Sequence, residues 1–184
     1  MAEAAPRAVL DACVLYPSVL RELLVEVARR GALGPLWSAR ILAEWAHVAR
    51  RRGDDAGPAI AALTAAFPGA EVLGGAAEDS VLELPDPADA HVLATAIAGG
   101  AEVIVTQNLR DFPARALAPH GVRAESPDAL LMRLWLHRPE LIEAAVAHVV
   151  AETERRSGRE QPLRPLLRRA GLPRLGKALA PPGG

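Results

Sequence analysis

The chain has 184 residues, of which 51% are apolar, and a domain of this length can bury a sizeable core. Its formal net charge is −1, and its single cysteine, Cys13, excludes an internal disulfide framework and a cysteine-rich zinc site. No apolar run reaches the roughly 18 residues that cross a bilayer, and the N-terminus lacks a signal-peptide pattern. We therefore expect a cytoplasmic protein with no membrane partner.

Charge is unevenly distributed along the chain. From Arg155 onward there are eight basic residues and one acid, Glu160, whereas the first 154 residues hold 13 basic and 21 acidic side chains. The acidic body argues against nonspecific nucleic-acid binding through bulk charge. The basic C-terminal segment could supply such binding locally, in a salt-dependent way.

In the first half of the chain, apolar spacing and capping residues predict alternating strands and helices. Leu20, Leu23, Leu24 and Val27 recur at helical spacing, and Ser38 is the expected N-cap of the following helix. The predicted elements are a strand at 7–10 followed by Asp11, a helix that ends at Gly31, a helix from Ser38 to Gly53, a helix at 58–67 and a strand at 70–73.

The second half continues this alternation. Residues 103–106 form a continuous strand pattern, as expected of a central parallel strand that is buried on both faces. Asp86 stands directly before Pro87, which is the pattern of an N-cap followed by a favoured first-turn proline. The predicted elements are a helix from Asp86 to Gly99, strands at 103–106 and 121–124, a helix from Ser126 through Leu134 and a helix from Pro139 to about Arg156.

Strands that alternate with helices predict a parallel sheet with helices on both faces. The predicted fold class is α/β, with three layers (α/β/α) around a central parallel sheet of about four or five short strands. We assign residues 1–138 to the α/β domain, 139–156 to a C-terminal helix and 157–184 to a basic tail rich in Pro, Gly and Arg. This tail is expected to be poorly ordered, with at most one short helix around 163–170, and dispensable for folding.

Four acidic residues fall at positions from which they can reach one edge of the predicted sheet. Asp11 directly follows the first strand, at the carboxyl edge where open α/β sheets place ligands. Glu44 lies at the margin of the apolar face of its helix, and Asp89 is in register with the apolar stripe of its own helix. Asp111 and Asn108 lie in the turn after the central strand. If that strand neighbours the first, Asp11 and this turn share one sheet edge.

Carboxylates that converge on one cleft repel one another, and this repulsion costs several kcal/mol unless a cation compensates it. A set of carboxylates therefore implies a bound metal ion. Ligands that are all oxygen atoms suit Mg²⁺, or Mn²⁺, rather than zinc. Such ions activate a nucleophile and stabilise the leaving oxygen in phosphodiester cleavage.

The order and spacing of these residues resemble those of the PIN-domain family, to which the VapC-type toxins belong. The resemblance covers about residues 7–137 and rests on two single acids and two longer segments. They are Asp11, Glu44, the segment Asp89-Ala-His-Val-Leu-Ala-Thr-Ala and the segment Thr106-x-Asn108-x-x-Asp111-Phe112. Within this match, residues 84–91 and 108–112 are most similar to one bacterial subgroup of the family.

The resemblance implies a Mg²⁺-dependent endoribonuclease that is the toxin of a type II toxin–antitoxin pair, with RNA as substrate and a cognate antitoxin as partner. It implies that Asp11, Glu44, Asp89 and Asp111 are metal ligands and that Asn108 is a further catalytic residue. The family often has an acid where Asn108 stands, so Asp111 either replaces that acid or assists it. One or two metal ions and a homodimer are both left open.

Other functions are compatible with parts of this pattern. One is a non-catalytic PIN-fold module that binds RNA or a protein partner, and another is an RNA-processing nuclease outside a toxin–antitoxin pair. A phosphoryl-transfer enzyme of the haloacid dehalogenase type is disfavoured, because Cys13 stands where its second acid belongs and Lys177 is the only lysine. The five histidines show no metal-ligand spacing and are interpreted as surface or helix-flank residues.

Overall fold

The computed structural model describes residues 5–74 and 83–180, and its described part contains a four-stranded sheet. All strand pairs are parallel, and the strand order is β2-β1-β3-β4. The strands are β1 (Arg7–Leu10), β2 (Gly34–Leu36), β3 (Val103–Val105) and β4 (Arg123–Glu125). Together with the helices that flank the sheet, this confirms the predicted three-layer α/β/α fold.

The two central strands, β1 and β3, form the core of the sheet. Every residue of β3 and the last three residues of β1 are fully buried. Val9 is paired with Leu36 of β2 on one side and with Ile104 of β3 on the other. Strands buried on both faces need uninterrupted apolar sequence, which explains why these two could be predicted.

Helices connect and cover the strands. They are α1 (Ala12–Leu15), α2 (Ser18–Arg29), α3 (Ala39–Arg51), α4 (Gly57–Ala66), α5 (Ala90–Ala98), α6 (Ala114–Leu117), α7 (Pro127–His137), α8 (Pro139–Ser157), α9 (Leu163–Arg169) and α10 (Pro173–Leu179). Helix α5 packs against β1 and β3, and α2 packs against α8. Within the two described ranges, no helix is long and apolar enough to span a lipid bilayer.

The predicted helix caps at Ser38 and Ser126 are confirmed. The Ser38 hydroxyl accepts a hydrogen bond from the Ile41 N–H at 3.3 Å, and the Ser126 hydroxyl accepts one from the Ala129 N–H at 3.2 Å. Each serine satisfies a first-turn N–H group that has no partner within its helix.

The structure corrects the prediction of the second strand. Residues 70–73 do not form a strand: they contribute one isolated bridge, between Glu71 and Trp37, and Leu73 is 86% exposed. The second strand is instead β2, whose sequence Gly-Pro-Leu is typical of a turn. Because β2 is at the edge of the described sheet, it tolerates Pro35, which lacks a backbone N–H group.

The prediction of a poorly ordered tail after residue 157 is wrong for its described part, because this segment forms α9 and α10. These helices pack against each other, and α10 also packs against α7. Four leucines of the helices and the turn between them are at most 4% exposed: Leu166, Leu167, Leu172 and Leu175. The Pro and Gly residues that suggested disorder are local signals of helix boundaries, since Pro173 begins α10 and Gly171 adopts a φ of 80° in the turn before it.

A buried carboxylate joins α10 to the rest of the fold. Asp128, in the first turn of α7, is 7% exposed. Its two oxygens accept hydrogen bonds from the backbone N–H groups of Arg174 and Leu175, at 2.9 and 3.0 Å. The side chain therefore caps a helix that lies more than forty residues away in sequence.

We predict that Asp128→Ala lowers the free energy of unfolding by about 1–3 kcal/mol, because it leaves two N–H groups without their acceptor. Asp128→Asn keeps one oxygen acceptor and should lose less. Denaturant unfolding of the full chain measures both losses. The matched control is Glu160→Ala, which removes the same charge from an exposed position near α9. Equal losses in the Glu160 and Asp128 variants would contradict the proposed cap.

Candidate active site

The site is built at the carboxyl ends of β1 and β3. Asp11 directly follows β1, and its backbone N–H donates to the Val105 carbonyl at 3.1 Å, which extends the pairing with β3. Its carboxylate is 7% exposed, and Oδ2 accepts a hydrogen bond from the buried Thr106 hydroxyl at 2.7 Å. Because β1 and β3 are neighbours, Asp11 and the turn after β3 share one sheet edge, as the sequence predicted.

A cavity of about 980 Å³ opens at this edge. Four of the five predicted site residues line it: Asp11, Glu44, Asp89 and Asn108. The fifth, Asp111, is in the short 3₁₀ turn Leu109–Asp111 and does not line the cavity. The structure thus brings together side chains from the end of β1, from α3, from the start of α5 and from the loop after β3.

Asp89 carries the clearest electrostatic signal in this cavity. Its pKa is raised from an ordinary value of 3.8 to about 6, mainly by burial and then by the negative charges of Asp11, Asp111 and Asp86, while His91 lowers it. Asp111 is therefore close enough to act on Asp89 although it does not line the cavity. The Asp89 carboxylate makes no capping hydrogen bond to α5, so capping does not explain its position.

Asp86, three residues earlier, has the predicted capping role. Its Oδ1 accepts a hydrogen bond from the Ala88 N–H at 2.9 Å, at the start of the 3₁₀ turn Pro87–Asp89. Two neighbouring acids thus have different surroundings: Asp86 satisfies the backbone, and Asp89 faces other carboxylates.

Glu44 lies beside His91, which was predicted to be a surface or helix-flank residue but is buried. His91 is 4% exposed, and its Nε2 lies 2.8 Å from Glu44 Oε1, although its N–H is not well aligned for a hydrogen bond. Arg40 Nε lies 3.6 Å from the same oxygen. The composition of α5 could have predicted this burial, because the helix has apolar residues on every side. Every residue from 90 to 96 is buried.

Cys13 contacts Asp11 and is more than a small apolar side chain. Its Sγ–H donates to Asp11 Oδ2 at 3.1 Å, and its sulfur accepts from the Gln107 N–H at 3.3 Å. Burial, followed by the charge of Asp11, raises the pKa of the thiol to about 12. The thiol therefore stays protonated at neutral pH and acts as a donor to Asp11.

The donor set suits a hard divalent cation but is not a complete coordination cage. Among the described residues, no three His, Cys, Asp or Glu side chains converge closely enough to hold a metal ion. Glu44 is held near His91 and Arg40 instead. Mg²⁺, however, keeps several waters and is commonly bound by one or two carboxylates together with substrate phosphate. Asp11 and Asp89, whose charges repel each other, fit that mode of binding.

The raised pKa of Asp89 predicts how stability changes with pH in the absence of metal. The folded state binds a proton at Asp89 more tightly than the unfolded state, so this residue destabilises the fold as pH rises from 3.8 through about 6. Asp89→Asn should therefore raise the melting temperature in EDTA at pH 7, and this gain should disappear at pH 4. Thermal unfolding at the two pH values measures it.

Asp86→Ala is the control for this prediction, because it removes the same charge three residues away. It should lower the free energy of unfolding by about 1 kcal/mol, since a cap is lost. If Asp89→Asn destabilises the protein at pH 7 as Asp86→Ala does, the burial and repulsion of the Asp89 charge do not dominate its effect on stability.

Comparisons with known proteins agree with this geometry. Residues 7–110, more than half of the chain, match the PIN domain family. A segment of 62 residues is 45% identical to a Mycobacterium tuberculosis (strain ATCC 25618 / H37Rv) protein named "Putative ribonuclease VapC50". That segment covers 34% of each of the two chains, so this chain matches about a third of the relative's length. No solved structure matches significantly. The match to the family, over the residues that form the sheet edge and its cavity, shows that the chain belongs to the PIN domain family.

Proposed function

We propose that this chain is a Mg²⁺-dependent endoribonuclease that hydrolyses RNA phosphodiester bonds, and that it is the toxin of a type II toxin–antitoxin pair. The observation that carries the proposal is that Asp11, Glu44 and Asp89 line one cavity at the sheet edge. Burial there, and then the negative charges of Asp11 and Asp111, raise the pKa of Asp89. A fold gains nothing from uncompensated like charges, whereas a nuclease uses them to hold a cation. Membership of the PIN domain family and the ribonuclease name of the relative support the same activity.

Asp11 and Asp89 are the residues proposed to hold the cation, with Glu44, Asp111 and Asn108 around them. When bound, Mg²⁺ or Mn²⁺ lowers the pKa of a coordinated water and neutralises negative charge that develops on the phosphate. Among the described residues, both hydrogen bonds to the Asp11 carboxylate fall on Oδ2, so Oδ1 is the oxygen available to a cation.

The surrounding residues hold these carboxylates in place. The Thr106 hydroxyl fixes the Asp11 carboxylate and itself accepts the Asn108 N–H at 3.0 Å, so one side chain orients two proposed site residues. His91 and Arg40 keep Glu44 at the cavity wall, where it can accept a proton or a water hydrogen bond.

The assignment as a toxin with a cognate antitoxin rests on the resemblance of the ordered acids to the family of the VapC-type toxins and on the name of the relative, "Putative ribonuclease VapC50". An RNA-processing nuclease would share the same carboxylates. A non-catalytic PIN-fold module would not need them, which is why the electrostatics of the cavity favour an enzyme.

We predict that cleavage of single-stranded RNA requires Mg²⁺ or Mn²⁺ and stops in excess EDTA. Asp11→Asn and Asp89→Asn should each lower the rate at least a hundredfold, since the loss of groups that merely orient metal ligands already costs about 10- to 100-fold. Asp86→Ala, the charge-matched control, should retain the rate. Full cleavage in EDTA would exclude the metal. A loss of activity in Asp86→Ala with normal activity in Asp89→Asn would show that the ligand was assigned to the wrong acid.

The toxin assignment predicts that expression of the chain slows the growth of a bacterial host, whereas expression of the Asp11→Asn variant does not. Co-expression of the protein from an adjacent small reading frame should restore growth, and the two proteins should co-purify. Normal growth despite RNA cleavage in vitro would favour the RNA-processing alternative.

A further inference from the structure

We propose that Arg50 and Arg52, at the C-terminal end of α3, form a phosphate-binding rim that holds the RNA backbone beside the carboxylates. This proposal rests on the proposed function, because the polymer that the arginines would hold is the RNA substrate. Both arginines line the same cavity as Asp11 and Asp89, whereas Arg51, which stands between them, does not. The rim therefore consists of specific side chains and is not merely the charge of a basic helix end.

Arg52 is held in position by an aromatic ring. Its guanidinium carbon lies 5.0 Å from the centroid of the Tyr16 ring, and the Tyr16 hydroxyl donates to Asp54 Oδ2 at 3.0 Å. Tyr16 also lines the cavity. Stacking on a ring orders the guanidinium plane but leaves its N–H groups available to donate, which suits an arginine that binds phosphate.

The two arginines differ in their contacts from Arg40, which is in the same helix. Arg40, the third arginine that lines the cavity, pairs with Glu44 and donates to the Ala88 carbonyl. Within residues 5–74 and 83–180, by contrast, neither Arg50 nor Arg52 pairs with a carboxylate, and both are exposed. Two cations that make no ion pair with a described residue are suited to bind an anion at the rim of the cavity.

The combination of charges selects the kind of ligand. A free cation would need the carboxylates but not the arginines, and a free anion would need the arginines but be repelled by the carboxylates. A phosphodiester chain uses both groups: one phosphate meets the carboxylates through a cation, and a neighbouring phosphate receives the guanidinium hydrogen bonds. Single-stranded RNA is the polymer that the proposed function supplies.

The test is the salt dependence of RNA binding by the full chain. A fluorescein-labelled single-stranded RNA of mixed sequence is titrated in EDTA, which prevents metal-dependent cleavage, at several salt concentrations, and anisotropy reports binding. Arg50→Ala and Arg52→Ala should each reduce the slope of log K against log salt by about 0.7, which is one phosphate contact on a single strand. Arg51→Ala removes the same charge from the same helix end and should leave the slope unchanged.

Arg52→Lys tests the contact without removing charge. It should keep a slope near that of the wild type, which separates phosphate binding from damage to the fold. Equal reductions in the Arg51 and Arg52 variants, or no reduction in the Arg50 and Arg52 variants, would overturn the rim. A wild-type protein that binds RNA through these arginines but never cleaves it with Mg²⁺ would remove the nuclease proposal and leave the rim standing. Mg²⁺-dependent cleavage with unchanged slopes in the arginine variants would remove the rim alone.

Discussion

The hydrogen bond from the Thr106 hydroxyl to the Asp11 carboxylate joins the sheet to the site. A carboxylate that is 7% exposed is costly unless hydrogen bonds satisfy it, and Thr106 supplies one at 2.7 Å from the end of the neighbouring strand. The same hydroxyl accepts the Asn108 N–H, which starts the turn that leads to Asp111. One side chain therefore fixes the buried acid, the ends of β1 and β3 and the loop that completes the cavity.

The clustered carboxylates destabilise the fold locally, and the packed core holds them in place. The pKa of Asp89 is raised to about 6, first by burial and then by the negative charges of Asp11 and Asp111. The acids stand at the ends of elements whose interiors are apolar, and the last three residues of β1 and all of β3 are fully buried behind them. Asp11 and Asp89 are therefore attached to packed elements, and moving their carboxylates apart would require moving a buried strand or helix. Such preorganisation is what the proposed metal-dependent site requires.

The sequence predicted the features that depend on local patterns. Buried apolar runs identified β1 and β3, serine caps identified two helix starts, and Asp86 before Pro87 identified a cap that left Asp89 for another role. Features that depend on tertiary contacts were missed. The edge strand β2 is too short and too turn-like to be recognised, and His91 is buried because α5 is buried on all sides. The cavity forms where α3 meets the loop after β3, and this contact brings the arginines to it. No local sequence pattern predicts such a contact.

The C-terminal helices also depend on tertiary contacts that the sequence does not show, and they lie close to the site. Seven-residue helices are too short for apolar spacing to stand out, so the sequence allowed only one short helix around 163–170, which corresponds to α9, and α10 was missed. Their turn reaches the site loop, since a Cβ at Gly171 would lie 3.6 Å from the Gln107 side chain. Gln107 in turn donates its backbone N–H to Cys13, which donates to Asp11. Because Asp128 anchors α10, the segment packs next to the loop that carries the cavity, and its basic side chains belong to a folded surface beside the site rather than to a free tail.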